Sequence, residues 1–146
     1  MNRTVTVLAL TTVAALGAAG SAQAKLVTFS SPSGNIGCAG ETTRGTTNFV
    51  RCDIGTRTWT APRKPASCNF DWGQGVGLGP LRRARWLCVS DTTLGAPTKL
   101  KYGASKLIGG IRCTSLTSGM RCMNRHGYGF KVSRQKVSFF HRTVSA

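Results

Sequence analysis

Two histidines, His126 and His141, are the side chains in this sequence whose possible chemistry is easiest to name. Imidazole titrates near neutral pH, so two histidines with a nearby lysine could act as base and acid in RNA cleavage, as in a small secreted ribonuclease. His126 stands in an Asn-Arg-His-Gly turn sequence, and His141 stands near the carboxyl end. Both positions predict exposed side chains, so a nuclease-like hydrolase is an alternative interpretation rather than the first.

Carboxylates, the other common acid–base groups, are scarce in this chain, which contains four. Asp53, Asp71 and Asp91 are isolated in sequence and stand beside expected turns or strand ends, where aspartate usually accepts hydrogen bonds from backbone amides. The sequence contains no Gly-x-Ser-x-Gly element. We therefore assign no catalytic residue.

A glycine-rich run, in which Gly73 to Gly79 places glycine at every second residue, raises the question of phosphate binding. A dinucleotide-binding loop needs glycines at its first, third and sixth positions and a helix after them, and this run meets neither condition. As a strand it would have one face without side chains, on which an aromatic ring could lie. The candidate rings are Trp59, Trp72 and Trp86.

Six cysteines predict disulfides rather than a metal site, because there is no Cys-x-x-Cys and the histidines lack zinc-finger spacing. Six cysteines allow about fifteen pairings. Each successive pair brackets a Gly- or Thr-rich turn between two strand-like runs, which favours sequential pairing. The predicted bridges are Cys38–Cys52, Cys68–Cys88 and Cys113–Cys122. We predict no metal, no cofactor and no cysteine nucleophile.

Positive charge dominates the composition: 20 lysines and arginines face four acidic residues, and the formal net charge is +16. A field of this size attracts polyanions. Outside a cell these are envelope polymers, anionic lipid head groups or extracellular nucleic acid. The candidate binding residues are Arg82, Arg83, Arg85, Lys99, Lys101, Lys106, Arg121 and Arg125. The alternative explanation is that the charge serves solubility.

The first 24 residues have the pattern of a cleavable signal peptide. A basic start is followed by the uncharged apolar run Val5–Gly20 and by a small-x-small ending at Ala24. Cleavage would leave residues 25–146 with all six cysteines and a net charge of +15, since Arg3 is removed. We predict a secreted or periplasmic protein, in a compartment where disulfides form. No segment of the mature chain is long and apolar enough for a transmembrane helix.

The elements that position these residues are predicted to be strands, because apolar residues alternate with a period of two. Residues 31–35 have turn chemistry, and Ile111–Asn124 predicts a hairpin. Arg57–Trp59 predicts a short strand, and Ser133–Phe140 has a helical pattern with Ser133 as the N-cap. We expect one all-β domain over 25–146. It would be a small disulfide-stapled sandwich or barrel of antiparallel hairpins, with at most one short C-terminal helix.

Four motifs occur along the mature chain: Ser-Pro-Ser-Gly-Asn-Ile-Gly-Cys ending at Cys38, Cys-x-x-Asp-Trp-Gly from Cys68, Gly-x-x-Cys-x-Asn from Gly119 and Gly-Phe-x-x-Ser-Arg from Gly129. Together they resemble a family of small exported bacterial proteins, mainly actinobacterial, of unknown function. The resemblance implies no activity and no catalytic residues. Where the family usually has Gly-His-Gly-Phe, this chain has tyrosine at Tyr128, so it lacks any catalysis that such a histidine would perform.

We therefore predict a non-catalytic binder of polyanionic surfaces or polymers. One alternative is the nuclease-like hydrolase, which would use His126 or His141 beside a lysine or arginine. The other is an interaction or inhibitor module. The sequence predicts no oligomeric state.

Overall fold

The computed structural model describes residues 24–42 and 49–144, and these residues form ten strands and no helix. The predicted signal peptide lies outside the described residues except for its last position, Ala24. The strands are β1 (Lys25–Ser30), β2 (Ile36–Thr42), β3 (Phe49–Ile54), β4 (Asp71–Leu78), β5 (Arg85–Val89), β6 (Ser105–Ile108), β7 (Ile111–Leu116), β8 (Gly119–Asn124), β9 (Tyr128–Val132) and β10 (Val137–His141).

The strands form two antiparallel five-stranded sheets that pack face to face. The first sheet has the order β1-β2-β3-β4-β5 and the second has the order β10-β9-β8-β7-β6, so each is a meander in which sequence neighbours pair. The segment between β5 and β6 joins the two sheets. This arrangement confirms the predicted all-β, sandwich-like fold.

The core lies between the two inner faces, as the alternation of apolar residues predicts. Val50 and Leu78 of the first sheet and Ile111, Met120 and Phe130 of the second are completely buried. Their neighbours along each strand point outward, and the loop after β5 covers part of the outer face of the first sheet. The two outer faces carry the charged residues discussed below.

All three predicted disulfides are present, and the described residues contain no free cysteine. Cys38 stands directly opposite Cys52 in the first sheet, and Cys113 stands directly opposite Cys122 in the second. The Sγ atoms of Cys52 and Cys122 are 3.9 Å apart, so the two bridges meet in the middle of the core. Disulfides of this kind indicate an oxidising compartment. The described part of the chain contains no helix that is long and apolar enough to cross a membrane.

The predicted turn at residues 31–35 is confirmed, and it also positions the loop after β3. Gly34 has a φ of 75°, a conformation that glycine adopts readily. The Asn35 side chain accepts a hydrogen bond from the Thr56 amide at 2.7 Å and donates one to the Thr56 carbonyl at 2.9 Å. The Asn35 side chain thus makes the same two hydrogen bonds to Thr56 that a backbone residue of a neighbouring antiparallel strand would make. Asn35 therefore connects two turns at one end of the first sheet.

Two predicted elements are wrong. Ser133–Phe140 is a turn followed by β10, because alternation places Val137 and Phe139 on the inner side, with Phe139 opposite Phe130. The Ser133 hydroxyl does accept a backbone hydrogen bond, from Lys136 at 3.2 Å, but it closes a turn and caps no helix. Arg57–Trp59 is irregular: the Thr58 amide donates to the Arg134 carbonyl at 2.9 Å, so this segment contacts the turn between β9 and β10.

The glycine-rich run is a strand, β4, but the side chains on its bare face are not the predicted tryptophans. A Cβ atom on Gly77 would lie 2.3 Å from the Phe49 ring, and a Cβ atom on Gly75 would lie 2.0 Å from the Asp53 carboxylate. Glycine therefore makes room for a ring and a carboxylate from the neighbouring strand β3. Phe49 supplies the ring because β3 is the neighbouring strand, and Phe49 lies on the same face of the sheet as Arg51, which stands opposite Gly77.

Candidate functional site

Charge is unequally divided between the two halves of the chain. All four acidic residues occur at or before Asp91, whereas residues 92–146 contain ten lysines and arginines and no acidic residue. The strands of the second sheet are therefore purely cationic. The first sheet and the loop after it hold Glu41, Asp53, Asp71 and Asp91.

Among the described residues, the salt bridges are both made by Arg51 on the outer face of the first sheet. Its Nε and Nη2 atoms lie 2.8 and 2.6 Å from the two Asp53 carboxylate oxygens, and its Nη1 atom lies 2.5 Å from Asp91 Oδ1. Burial acts to lower the pKa of Arg51, but hydrogen bonds and charge from both aspartates outweigh it and raise the pKa. The hydrogen bond and the charge of Arg51 in turn lower the pKa of Asp91.

This ion-pair network attaches the loop after β5 to the first sheet. Asp53 Oδ2 accepts the Thr93 amide hydrogen at 2.8 Å, and the Thr93 hydroxyl donates to the Gly37 carbonyl at 2.6 Å. Two aspartates that are isolated in sequence thus meet at one arginine. Because Arg51 already has two carboxylate partners, it offers little to an external anion, and we regard this network as structural.

An apolar cleft of about 620 Å³ lies beside this network on the outer face of the first sheet. Leu26, Phe49, Trp72 and Val89 are among the side chains that line it. Arg85 lies at this cleft with its guanidinium carbon 5.7 Å from the centre of the Phe49 ring. Three of the four acidic side chains, Glu41, Asp53 and Asp91, lie in or beside the cleft, together with Arg51 and Arg85.

The outer face of the second sheet has the opposite character. Arg121 of β8 stands directly opposite Lys131 of β9, and Arg112 projects from the adjacent strand β7. The Arg121 guanidinium carbon lies 5.2 Å from the centre of the Phe140 ring. Desolvation, and then the charge of Arg142, lower the pKa of Arg121. We call these four cations, Arg112, Arg121, Lys131 and Arg142, the basic face.

Aromatic rings gather where the edge strands β5 and β10 meet on one side of the sandwich. Trp86 lies 5.5 Å from Trp59 and 5.5 Å from Phe139, measured between ring centres, and Tyr128 is stacked on His141 at 4.2 Å. We call these five residues the aromatic edge. Two arginines lie over its rings. The guanidinium carbon of Arg57 is 4.9 Å from the centre of the Trp59 ring, and that of Arg83 is 5.7 Å from the centre of the Tyr128 ring.

Both histidines are exposed, as predicted, and neither has a carboxylate partner among the described residues. The His126 Nε2 atom lies 3.3 Å from Arg125 Nε, and the His141 Nε2 atom lies 3.2 Å from the His126 carbonyl oxygen. A general acid–base histidine needs an orienting group that holds one tautomer and a second group that exchanges the proton. The observed contacts provide no such pair.

The eight cations proposed from the sequence do not form one patch. Arg82, Arg83 and Arg125 lie at the same end of the sandwich, because the Asn124 side chain donates hydrogen bonds to the Gly79 and Arg82 carbonyls at 2.9 and 3.1 Å. The others are dispersed: Arg85 lies at the cleft, Arg121 lies on the basic face, Lys99 and Lys101 lie in the segment beside β1, and Lys106 lies on β6.

Sequence reasoning missed Arg112, Lys131 and Arg142, although a signal for the first two was present. Once Cys113 and Cys122 point into the core, alternation places Arg112 and Arg121 outward, and Lys131 follows from the same pattern on the next strand. The described residues contain no group of three or more His, Cys, Asp or Glu side chains arranged to hold a metal ion.

Comparison with known proteins supplies a family without an activity. A family model described as "Family of unknown function (DUF6636)" matches residues 7–140. No curated protein and no solved structure is significantly similar to the chain.

Proposed function

Since the chain belongs to DUF6636, a family of unknown function, we propose a function from its own surface: non-catalytic binding of a polyanionic polymer or surface at the basic face. The observation that carries the proposal is the direct opposition of Arg121 and Lys131, with Arg142 close by and no carboxylate in any strand of the second sheet. Like charges directly opposite each other destabilise a sheet by about 0.2 to 1 kcal/mol. A bound anion would remove that cost.

The spacing of the basic face favours a polymer over a single small anion. Its cations project from neighbouring strands, which lie about 4.8 Å apart, and they stand on an open sheet face. An isolated phosphate would contact only part of this surface, and water would compete for it from all sides. A chain of repeated anionic groups would contact several cations at once and release several counterions.

The proposed place of action is outside the cytoplasm. The three disulfides support this, because such bonds persist in oxidising compartments. If the signal peptide is cleaved as its pattern predicts, mass spectrometry of the exported protein will find Lys25 as the first residue.

The proposal is tested by binding of fluorescently labelled polyphosphate to the wild type and to Arg121→Gln combined with Lys131→Gln. We expect the double variant to bind about tenfold or more weakly, and its affinity to depend less steeply on salt, because two phosphate contacts are lost. The matched control is Arg63→Gln with Lys64→Gln. It removes the same charge from an exposed loop of the other half of the chain.

We expect the control to change affinity by less than about threefold, since it alters only the long-range field. An equal loss in both variants would mean that net charge alone attracts the polymer and that the basic face is not a site. The absence of salt-dependent binding to any polyanion would leave the charge as a solubility trait.

A further inference from the structure

We propose that the polyanion is a single-stranded nucleic acid, with its phosphates on the basic face and one or two bases stacked at the aromatic edge. The inference rests on the proposed function, because the basic face would hold the backbone. It adds a chemical class, since only some polyanions carry flat aromatic groups. Proteins that bind single strands without sequence preference combine a cationic surface with rings on which bases stack.

The two surfaces are adjacent through β10. Phe140 points to the outer face, where Arg121 lies over its ring, and Phe139, the residue before it, points to the aromatic edge, where its ring meets Trp86. Successive residues of a strand point to opposite sides and are about 3.4 Å apart along the chain. A strand of nucleic acid following β10 would therefore meet cations on one side and rings on the other.

A recess at the aromatic edge offers room for a planar group. Its volume is about 360 Å³, and it is lined by Arg83, Ala84, Tyr128, Phe139, Phe140 and His141. The volume falls at the lower end of the range found for ligand pockets, about 300 to 1000 Å³. Phe139 is 41% exposed, although phenylalanine is among the residue types most often buried in folded proteins. The exposed part of this ring is the surface on which we place a base.

Arginine reinforces this assignment. The guanidinium carbon of Arg83 lies 5.7 Å from the centre of the Tyr128 ring, and that of Arg57 lies 4.9 Å from the centre of the Trp59 ring, so each positive charge is already placed beside a ring. Neither arginine forms a salt bridge among the described residues. Polyphosphate and anionic lipid head groups would use the charge but not the rings. An anionic polysaccharide could use both, and it is therefore included in the test.

The experiment compares three main probes of similar charge on the full chain, and it measures hyaluronan and duplex DNA as two further probes. The main probes are an oligothymidylate of about 12 nucleotides, an abasic oligonucleotide of the same length, and polyphosphate; the length lies within the range that single-strand-binding domains cover. We expect the oligothymidylate to bind about tenfold more tightly than the abasic strand. We also expect it to quench tryptophan fluorescence, because Trp86 and Trp59 belong to the ring cluster, while the abasic strand leaves the fluorescence nearly unchanged.

Phe139→Leu is the decisive variant, because leucine keeps an apolar contact with Trp86 and removes the aromatic face. It should abolish most of the preference for the oligothymidylate and leave binding of the abasic strand unchanged. Phe70→Leu is the matched control, since Phe70 is 57% exposed and lies outside the aromatic edge. That control should keep the full preference. Thermal unfolding of both variants verifies that each is folded.

The outcomes separate this inference from the function on which it rests. Equal affinity for the abasic strand and the oligothymidylate would overturn base stacking and leave polyanion binding intact. If an anionic polysaccharide such as hyaluronan binds more tightly than the oligothymidylate, and Phe139→Leu loses that binding, the rings contact sugars rather than bases. That result would overturn the inference. Binding of duplex DNA as tight as that of the oligothymidylate would also contradict it. If none of the probes binds, the proposed function itself fails.

Discussion

The two sheets of this protein are alike in construction and opposite in charge. Each is a five-stranded meander, and each has one disulfide between directly opposed residues at the same place in the core. On the outer face of the first sheet, Arg51 is held by two aspartates. On the outer face of the second, Arg121 faces Lys131.

The two arginines differ in how their surroundings affect the charged form of the side chain. The pKa of Arg51 is raised because its partners outweigh burial, and the pKa of Arg121 is lowered by desolvation and by Arg142. The first arginine is thus stabilised by the fold and holds a loop in position. The charged form of the second is disfavoured by desolvation and by its cationic neighbour. A charge that no carboxylate among the described residues offsets is a reasonable place to look for function.

The strongest way to break this comparison is to remove Asp53. Asp53→Ala would leave Arg51, whose side chain is 11% exposed, without its bidentate partner, and the Thr93 amide without its acceptor. We expect a loss of about 3 to 5 kcal/mol in the free energy of unfolding, measured with denaturant. Asp71→Ala, at an exposed position in β4, is the control and should change stability by less than about 0.5 kcal/mol. A loss below about 1 kcal/mol for Asp53→Ala would show that the network is not structural.

A smaller effect of the opposite sign is expected on the second sheet. Arg121→Gln with Lys131→Gln should raise the free energy of unfolding by about 0.2 to 1 kcal/mol, because it removes a directly opposed pair of like charges. The gain should shrink in high salt, which screens the repulsion. A variant that binds polyphosphate less tightly and unfolds less readily would sharpen the contrast between the two sheets. Destabilisation would mean that packing on Phe140 outweighs the repulsion.

The smallest effect concerns pH and the exposed end of the Arg51 network. Because the pKa of Asp91 is lowered in the folded state, its contribution to stability is complete above the unfolded pKa of about 4 and is lost as the pH falls through the folded value. The stability difference between the wild type and Asp91→Asn should therefore be constant from neutral pH to about pH 5 and should shrink on further acidification. Its size is modest, since the Asp91 side chain is 80% exposed and solvent screens the pair. A difference that grows on acidification would contradict the sign of the shift.

Local pattern was sufficient for several strands and for the cysteines. Alternation predicts β1, β3 and the β7–β8 hairpin, and in that hairpin it also predicts that Cys113 meets Cys122. In a meander the contacts of a strand are mostly with its sequence neighbours, so short-range spacing carries most of the information. The same reasoning failed for Ser133–Phe140, where a hydroxyl–amide contact suited a helix start and a turn equally well.

The sequence by itself determined the period-two alternation, the turn residues, the disulfide framework and the excess of positive charge, because each is a property of neighbouring residues or of composition. Only the tertiary structure decided which charges meet. Asp91 reaches Arg51 because a loop folds back over the first sheet, and Phe139 reaches Trp86 because the two edge strands lie on the same side of the sandwich. Those contacts join residues far apart in the chain and depend on how one sheet packs on the other, for which no local pattern exists.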